Sequence, residues 1–317
     1  MAINKVMRAA LKALSDTELD LKSSRKFASL KELDLMKPFY KTIDDKIMND
    51  HHEVPIRIYF PEEEMIIHHG EQGGICPLIL FIHGGGWTTE SVETYNRVCH
   101  YMAKHTRLAV VSIDYRLAPE NRFPIPLQDC YAVIKHIFSK QFFLNVDPDQ
   151  IVLIGDSAGA NLVAAVSMMA RDTGEFSVKR QILIYPCVYN EYAPGNCPTK
   201  SMIENGTEYI LTRKDVQEYL KMYKNTEEDY KNPYFSPLMA DDFSNLPETL
   251  VITAEYDPLR DEGEEYARRL KAAGNKVKAY RMQDALHGYF ALSTKYVLVR
   301  ETYELINQFL ENGEYDV

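Results

Sequence analysis

The sequence has few of the features that mark secreted, membrane-spanning and nucleic-acid-binding proteins. Its five cysteines are odd in number, widely spaced and without a C-x-x-C pair, which predicts reduced thiols in the cytoplasm and no zinc site. No run of about 18 apolar residues occurs, so we expect no transmembrane helix. Lys and Arg never stand more than two in succession, and the net charge of −10 argues against nucleic-acid binding. We therefore expect a cytoplasmic protein with no nucleic-acid or membrane partner.

The remaining composition is that of an ordinary globular protein. The 317 residues are 45% hydrophobic and 26% charged, close to the averages of folded domains. Glycine and proline, at 15 each, are too few for a collagen-like or low-complexity chain. The acidic balance suits a soluble protein that acts on a neutral or cationic small molecule.

From residue 77 onward, short apolar runs alternate with helical stretches. The runs are rich in Ile, Val and Leu on both faces, which is typical of parallel strands covered by helices. Strands are predicted there over 78–82, 108–113, 151–154, 181–185, 250–254 and 277–280, and the alternating segment 54–60 predicts a further strand before them. Helices are predicted near 94–105, 126–140, 158–171, 212–224, 262–273 and 296–311. This order predicts an α/β fold with a mostly parallel central sheet flanked by helices.

Two segments depart from the alternation. Residues 1–50 carry apolar side chains at helical spacing, and Pro38 is expected to end the second of two helices there. Residues 188 to about 235 are rich in Tyr, Asn and Pro and interrupt two strand–helix units. We therefore predict N-terminal cap helices over 1–50 and a main α/β domain over 51–317, with a cap insertion at about 188–235.

Gly155-Asp-Ser-Ala-Gly159 is a G-x-S-x-G motif at a predicted strand-to-helix junction. The apolar run 151–154 leads into it and a helical stretch leads out. A sharp turn at this point needs small neighbours, and it exposes the central serine at the positive end of a helix. Ser157 is therefore the predicted nucleophile, with a plain glycine-rich turn as the alternative.

Three consecutive glycines follow the strand at 78–82, within His83-Gly84-Gly85-Gly86-Trp87. Successive glycines leave backbone N–H groups open to a substrate oxygen. A phosphate cradle for a nucleotide is the competing use, but neither G-x-G-x-x-G nor G-x-x-x-x-G-K-[ST] is present here. The glycines therefore fit an oxyanion hole upstream of a nucleophilic serine.

A nucleophilic serine needs a base, and the base needs a carboxylate that orients it. The expected chain order is serine, acid, histidine, and of the nine histidines only His287 follows Ser157. Asp257 is the preferred acid because it follows the strand at 250–254, and sites in such sheets form at strand ends. Three further acids stay open as alternatives: Glu255, Asp261 and Asp284.

Together these motifs resemble the hormone-sensitive-lipase-like family of α/β-hydrolase carboxylesterases, which includes bacterial acetyl esterases. The matching stretches lie in family order over roughly residues 75–310: 83–87, 114–120, 123–124 with Asp129, 155–159 with Asn161, 257–263 and 287–288. The resemblance implies an α/β-hydrolase fold with a helical cap. It implies Ser157 as nucleophile, Asp257 as acid and His287 as base. It also implies an oxyanion hole formed by the N–H groups of Gly85, Gly86 and Ala158.

The predicted reaction is hydrolysis of short-chain acyl esters, from acetyl to butyryl, through an acyl-enzyme and without cofactor or metal. Short chains are expected because the two cap segments would roof the site. Trp87, Tyr189 and Tyr209 are the candidate substrate-binding residues, and for Trp87 loop packing is the equal alternative. An amidase, lactonase or peptidase on the same machinery is an alternative, as is a non-catalytic ligand receptor. The predicted partner is a small-molecule ester, and a homodimer is left open.

Overall fold

The computed structural model of the protein describes residues 12, 20–33, 37–61, 75–193 and 195–311. Within these residues an eight-stranded sheet runs in the order β1-β2-β4-β3-β5-β6-β7-β8. The strands are β1 (Thr42–Asn49), β2 (His52–Tyr59), β3 (Leu78–Ile82), β4 (Ala109–Ile113), β5 (Ile151–Asp156), β6 (Arg180–Ile184), β7 (Glu248–Tyr256) and β8 (Val277–Leu286). β2 pairs antiparallel with β1 and β4, and the other pairs are parallel. The predicted fold class is confirmed.

Helices cover both faces of this sheet. The α-helices of the described residues are α1 (Leu21–Ser29), α2 (Asn96–Thr106), α3 (Ile125–Phe138), α4 (Ala158–Thr173), α5 (Lys200–Asn205), α6 (Arg213–Tyr223), α7 (Arg260–Ala272) and α8 (Val297–Glu311). The sheet is covered by α2, α3, α4, α7 and α8. Alternate residues of β3 point to opposite faces, so Leu80 packs in the layer of α3, α4 and α7. Phe81 packs in the layer of α2 and α8. Because both faces are covered, the strands need apolar residues at every position, which is why their sequence runs are continuous.

The N-terminal segment differs from its prediction. Residues 42–49, expected to be part of a helical cap, form edge strand β1, whose Ile47 lies opposite Val54 of β2. Its sequence alternates too weakly to reveal a strand, because of its eight residues only Ile47 is buried. Helix α1 ends at Ser29 and is followed by a 3₁₀ turn, so the predicted helix does not run unbroken to Pro38. The predicted helix around residues 6–14 and the predicted loop over 62–74 lie outside the described residues.

The segment between β6 and β7 contains α5 and α6, and α6 agrees with the helix predicted at 212–224. The ring of Tyr223, at the end of α6, stacks on Trp87 with centroids 4.4 Å apart and planes 5° from parallel. This contact joins the insertion to the loop that follows β3. Across the described ranges, no helix combines the length and apolar character needed to cross a bilayer.

Candidate active site

Ser157 occupies the sharp turn between β5 and α4. Its φ of 54° and ψ of −119° lie outside the conformations that most residues adopt. The two flanking glycines explain how the turn closes: a Cβ on Gly159 would lie 2.0 Å from the carbonyl oxygen of Ile82, and a Cβ on Gly155 would lie 2.5 Å from Gly159. Because α4 begins at the next residue, the serine stands at the positive end of the helix dipole.

A continuous chain of hydrogen bonds starts at this serine. Ser157 Oγ is 2.9 Å from His287 Nε2, and His287 Nδ1 is 2.7 Å from Asp257 Oδ2. Asp257 is fully buried, and its second oxygen accepts a hydrogen bond from the N–H of Leu259 at 2.8 Å. An ionised Asp257 makes Nδ1 the protonated nitrogen, so that Nε2 faces the serine as an acceptor.

The structure therefore brings together the three residues that the sequence predicted. Both nitrogens of the His287 ring are occupied, one by Asp257 and one by Ser157. Asp257 thus fills the position for which three other acids were alternatives: Glu255, Asp261 and Asp284. Glu255 instead accepts a hydrogen bond from the backbone N–H of Asp284 at 2.7 Å.

The glycine loop after β3 lies against the same turn. Gly85 and Gly86 have φ of +102° and +60°, a region that favours glycine. A Cβ on Gly85 would lie 2.5 Å from the carbonyl oxygen of Thr89, and one on Gly86 would lie 2.6 Å from the ring of Tyr219. Both glycines line one cavity together with Ser157 and Ala158, which is the juxtaposition that an oxyanion hole requires.

The chain is similar in sequence to known proteins. Residues 79–291 match the model of a family described by its alpha/beta hydrolase fold. An arylesterase of Saccharolobus solfataricus is 40% identical over 253 residues, which cover 80% of this chain and 78% of that protein. The chain belongs to the hormone-sensitive-lipase-like family of α/β-hydrolase carboxylesterases.

Solved structures of this family superpose over nearly the whole hydrolase. A hyperthermophilic esterase of the archaeon Pyrobaculum calidifontis aligns with a TM-score of 0.85 at 36% identity, covering 98% of this chain and 99% of that one. A thermophilic carboxylesterase cloned from a metagenomic library aligns with a TM-score of 0.83 at 34% identity, covering 93% and 98%. The likeness therefore extends over most of the chain.

Asp156 fixes the glycine loop of the hydrolase to its serine turn. One oxygen accepts a hydrogen bond from the N–H of Gly84 at 2.9 Å. The other accepts from the hydroxyls of Tyr95 at 2.9 Å and Tyr185 at 3.1 Å. Burial raises the pKa of Asp156, and the three donors oppose that rise. The sequence gives no local signal for either tyrosine, because they arrive from the start of α2 and the end of β6.

The cavity at Ser157 and His287 has a volume of about 200 Å³ and two chemically different walls. One wall is apolar and comes mainly from the insertion, through Leu211, Val216 and Tyr219. The other is charged and is formed by two residues distant in sequence, Lys31 and Glu90. Sequence reasoning identified none of these wall residues, since helix periodicity does not show which exposed side chain will face a cavity.

Of the three predicted substrate-binding residues, the structure places one at the cavity and two outside its lining. Trp87 lines the cavity, but it is only 1% exposed and its ring stacks on Tyr223, so loop packing accounts for the side chain. The Tyr189 hydroxyl donates to the carbonyl oxygen of Cys197 at 3.0 Å, and the Tyr209 ring packs on Tyr256 with centroids 5.0 Å apart. Neither tyrosine is among the described residues that line the cavity. Abundance of tyrosine in a segment does not show which ring faces a site.

Within the residues that the structure describes, no group of three or more His, Cys, Asp or Glu side chains is arranged to hold a metal ion. All five cysteines are described and unpaired, and Cys197 alone among them is exposed. The doublet His51-His52 lies at the turn between β1 and β2.

Proposed function

We propose that this hydrolase cleaves short-chain carboxylic esters with Ser157 as the nucleophile and an acyl-enzyme as the intermediate. The observation that supports the proposal is the unbroken hydrogen-bond chain from Ser157 through His287 to Asp257. Its outer end opens into a cavity that is also lined by the backbone of Gly85 and Gly86. Nucleophile, base and candidate oxyanion donors therefore surround one reacting position.

In the proposed reaction, His287 Nε2 takes the proton of Ser157 as Oγ bonds to the ester carbonyl carbon. The oxyanion accepts hydrogen bonds from the N–H groups of Gly85, Gly86 and Ala158, each worth roughly 3–4 kcal/mol in the transition state. His287 then gives the proton to the leaving alkoxide as the carbon–oxygen bond breaks. Water repeats both steps and releases the acid, while Asp257 holds the tautomer and stabilises the imidazolium.

The size of the cavity supports a preference for short acyl chains. Its volume of about 200 Å³ is below the roughly 300–1,000 Å³ of typical ligand pockets. Tyr219 of the insertion lies directly over Gly86, where its ring bounds the space next to the oxyanion donors. Residues 20–33 and the insertion thus serve as the cap of this enzyme, and its unpaired thiols fit a cytoplasmic site of action.

The test is to replace the nucleophile and measure both labelling and turnover. Ser157→Ala should lose labelling by a fluorophosphonate probe, and kcat on p-nitrophenyl butyrate should fall by about 10⁴–10⁶. Ser139→Ala, at the end of α3, is the matched control and should keep both properties. A folded Ser157→Ala enzyme with a tenth of wild-type activity would refute the assignment. Faster turnover of matched amides than of esters would favour the amidase alternative.

A further inference from the structure

The charged wall of the cavity consists of one ion pair. Lys31 Nζ is 2.5 Å from Glu90 Oε1, and both residues line the cavity that contains Ser157 and His287. The two partners are buried unequally: the side chain of Glu90 is 12% exposed and that of Lys31 is 40% exposed. The second oxygen of Glu90 is buried and has no hydrogen-bond partner among the described residues.

Glu90 is held in this position at a cost. Its φ of +70° lies in the left-handed region, which a glutamate rarely adopts. Its Cγ packs against Gly85, only 2.8 Å from where a Cβ on that glycine would lie. A carboxylate beside this glycine opposes the negative charge that the proposed reaction develops at the glycine N–H groups. A strained and partly unsatisfied acid at that point therefore indicates a role in what the cavity accepts.

The field inside the cavity follows from the unequal burial. Water screens the more exposed ammonium of Lys31 better than the less exposed carboxylate of Glu90. The lining residues that the insertion contributes carry no formal charge, since they are Leu211, Val216 and Tyr219. The Gly85 side of the cavity is therefore the negative side, and it attracts a positive group on the substrate.

We propose that Glu90 is a specificity-determining residue that makes this enzyme favour esters with a cationic group, and that Lys31 limits the strength of that preference. The inference rests on the proposed ester hydrolysis. It predicts that substitutions of the two partners of this ion pair change the preference for cationic esters in opposite directions. Removing the carboxylate takes away the attraction, whereas removing the ammonium leaves the carboxylate uncompensated and increases it.

The experiment compares two esters of nearly equal shape, acetylcholine and its uncharged carbon analogue 3,3-dimethylbutyl acetate. The measured quantity is the ratio of their kcat/KM values, in which folding defects and losses of active enzyme cancel. Glu90→Gln should lower the ratio of cationic to neutral ester by about tenfold. Lys31→Gln should raise it by several-fold. The control pair is Lys46 with Glu53, which are 2.5 Å apart on the exposed β1–β2 hairpin; Lys46→Gln and Glu53→Gln make the same charge changes and should leave the ratio unchanged.

Three outcomes would overturn the inference. If Glu90→Gln and Lys31→Gln shift the ratio in the same direction, the pair only anchors the N-terminal segment. If neither variant changes the ratio while the wild-type enzyme hydrolyses the neutral ester, the inference fails and ester hydrolysis stands. If the wild-type enzyme hydrolyses neither of these esters nor p-nitrophenyl butyrate, the proposed function fails with it.

Discussion

The central sheet and the N-terminal segment are held by different forces. All five residues of β3 are 0% exposed, so this strand is fixed by apolar burial on both faces. In α1 only Ala28 is buried, while Phe27 is 65% exposed. This helix is attached instead by Arg25, which donates to both oxygens of Glu120 at 2.7 Å. Salt does not screen apolar burial, whereas exposed ion pairs contribute at most about 1 kcal/mol and are screened.

The insertion is held in a third way. Tyr223 and Phe235 stack with Trp87 in one aromatic cluster, with Phe123 packed edge-on against Tyr223. Such rings combine a large buried area with preferred geometries. The comparison shows that the central sheet and the insertion are held by close packing of apolar and aromatic side chains, whereas the N-terminal segment is held mainly by charge. The predictions below test this comparison.

The largest effect, a loss of kcat, is expected at the end of a strand of the central sheet. Asp257→Asn at the end of β7 should preserve the fold but lower kcat by about 10⁴, because the amide no longer fixes the reactive tautomer of His287. Asp261→Asn, at a rival acid that accepts a hydrogen bond from the N–H of Ser201, should leave kcat within a few-fold. Steady-state kinetics on p-nitrophenyl butyrate measures both. A larger loss in the second variant would reassign the acid.

The next effect concerns the junction between the sheet layer and the insertion. Glu262 of α7 is fully buried and accepts hydrogen bonds from the N–H groups of Val188 and Tyr189, and burial raises its pKa well above the ordinary value of 4.5. As the pH rises above 4.5, the unfolded chain releases this proton while the folded protein keeps it. The free energy of unfolding should therefore fall with rising pH, by up to about 1.4 kcal/mol per pH unit. Glu262→Gln should flatten that slope in urea denaturation.

Glu265, one turn along the same helix, is the matched control. Hydrogen bonds from Arg268 and Arg269 lower the pKa of Glu265 to about 2. Its contribution is present above pH 4.5 and is lost as the pH falls towards 2, so Glu265→Gln should change the acid limb only. Equal slopes for the wild-type protein and Glu262→Gln between pH 4.5 and 7 would show that Glu262 is not the group responsible.

A smaller effect, on the preferred length of the acyl chain, is expected at the apolar wall of the cavity. Tyr219→Ala should open the cavity beside Gly86, so that each added methylene of the acyl chain finds a contact. The gain is about 0.8 kcal/mol per buried methylene, or roughly fourfold in kcat/KM per step. The measurement is kcat/KM for p-nitrophenyl esters from acetate to decanoate. Tyr192→Ala, which removes a 37% exposed ring of the insertion outside the cavity, should leave the profile unchanged. An unchanged profile in Tyr219→Ala would mean that another residue bounds the acyl group.

The smallest effect, on local opening of the N-terminal segment, is expected at the ion pair that attaches α1. Arg25→Gln removes the pair with Glu120 and weakens the contacts to the carbonyl oxygens of Thr88 and Ala118. Opening of residues 20–33 should become about two- to fivefold more frequent. Hydrogen exchange of α1 measures this opening, with α4 as the internal reference. About 0.5 M NaCl should reproduce the effect in the wild-type protein. Protection of α1 that responds to neither change would show that apolar contacts hold it.

The sequence by itself predicted the strands, the helices and the site residues that are marked by patterns over a few neighbouring residues or by chain order. Continuous apolar runs predicted six strands and an alternating segment predicted a seventh. Helix periodicity predicted six helices of the main domain and insertion to within two residues. The serine turn followed from its glycines, since only small residues allow a strand to enter a helix so abruptly. His287 followed from chain order, because no other histidine comes after the serine.

The tertiary structure decided what depends on partners distant in the chain. Strand β1 exists because β2 supplies its hydrogen bonds, although only one of its eight residues is buried. The sequence favoured Asp257 but left three other acids open, and the 2.7 Å distance between Asp257 Oδ2 and His287 Nδ1 decided between them. The cavity wall combines Lys31, Glu90 and Tyr219, which no spacing in the sequence connects. Folding places their side chains together, and the geometry and field of a site arise only from that juxtaposition.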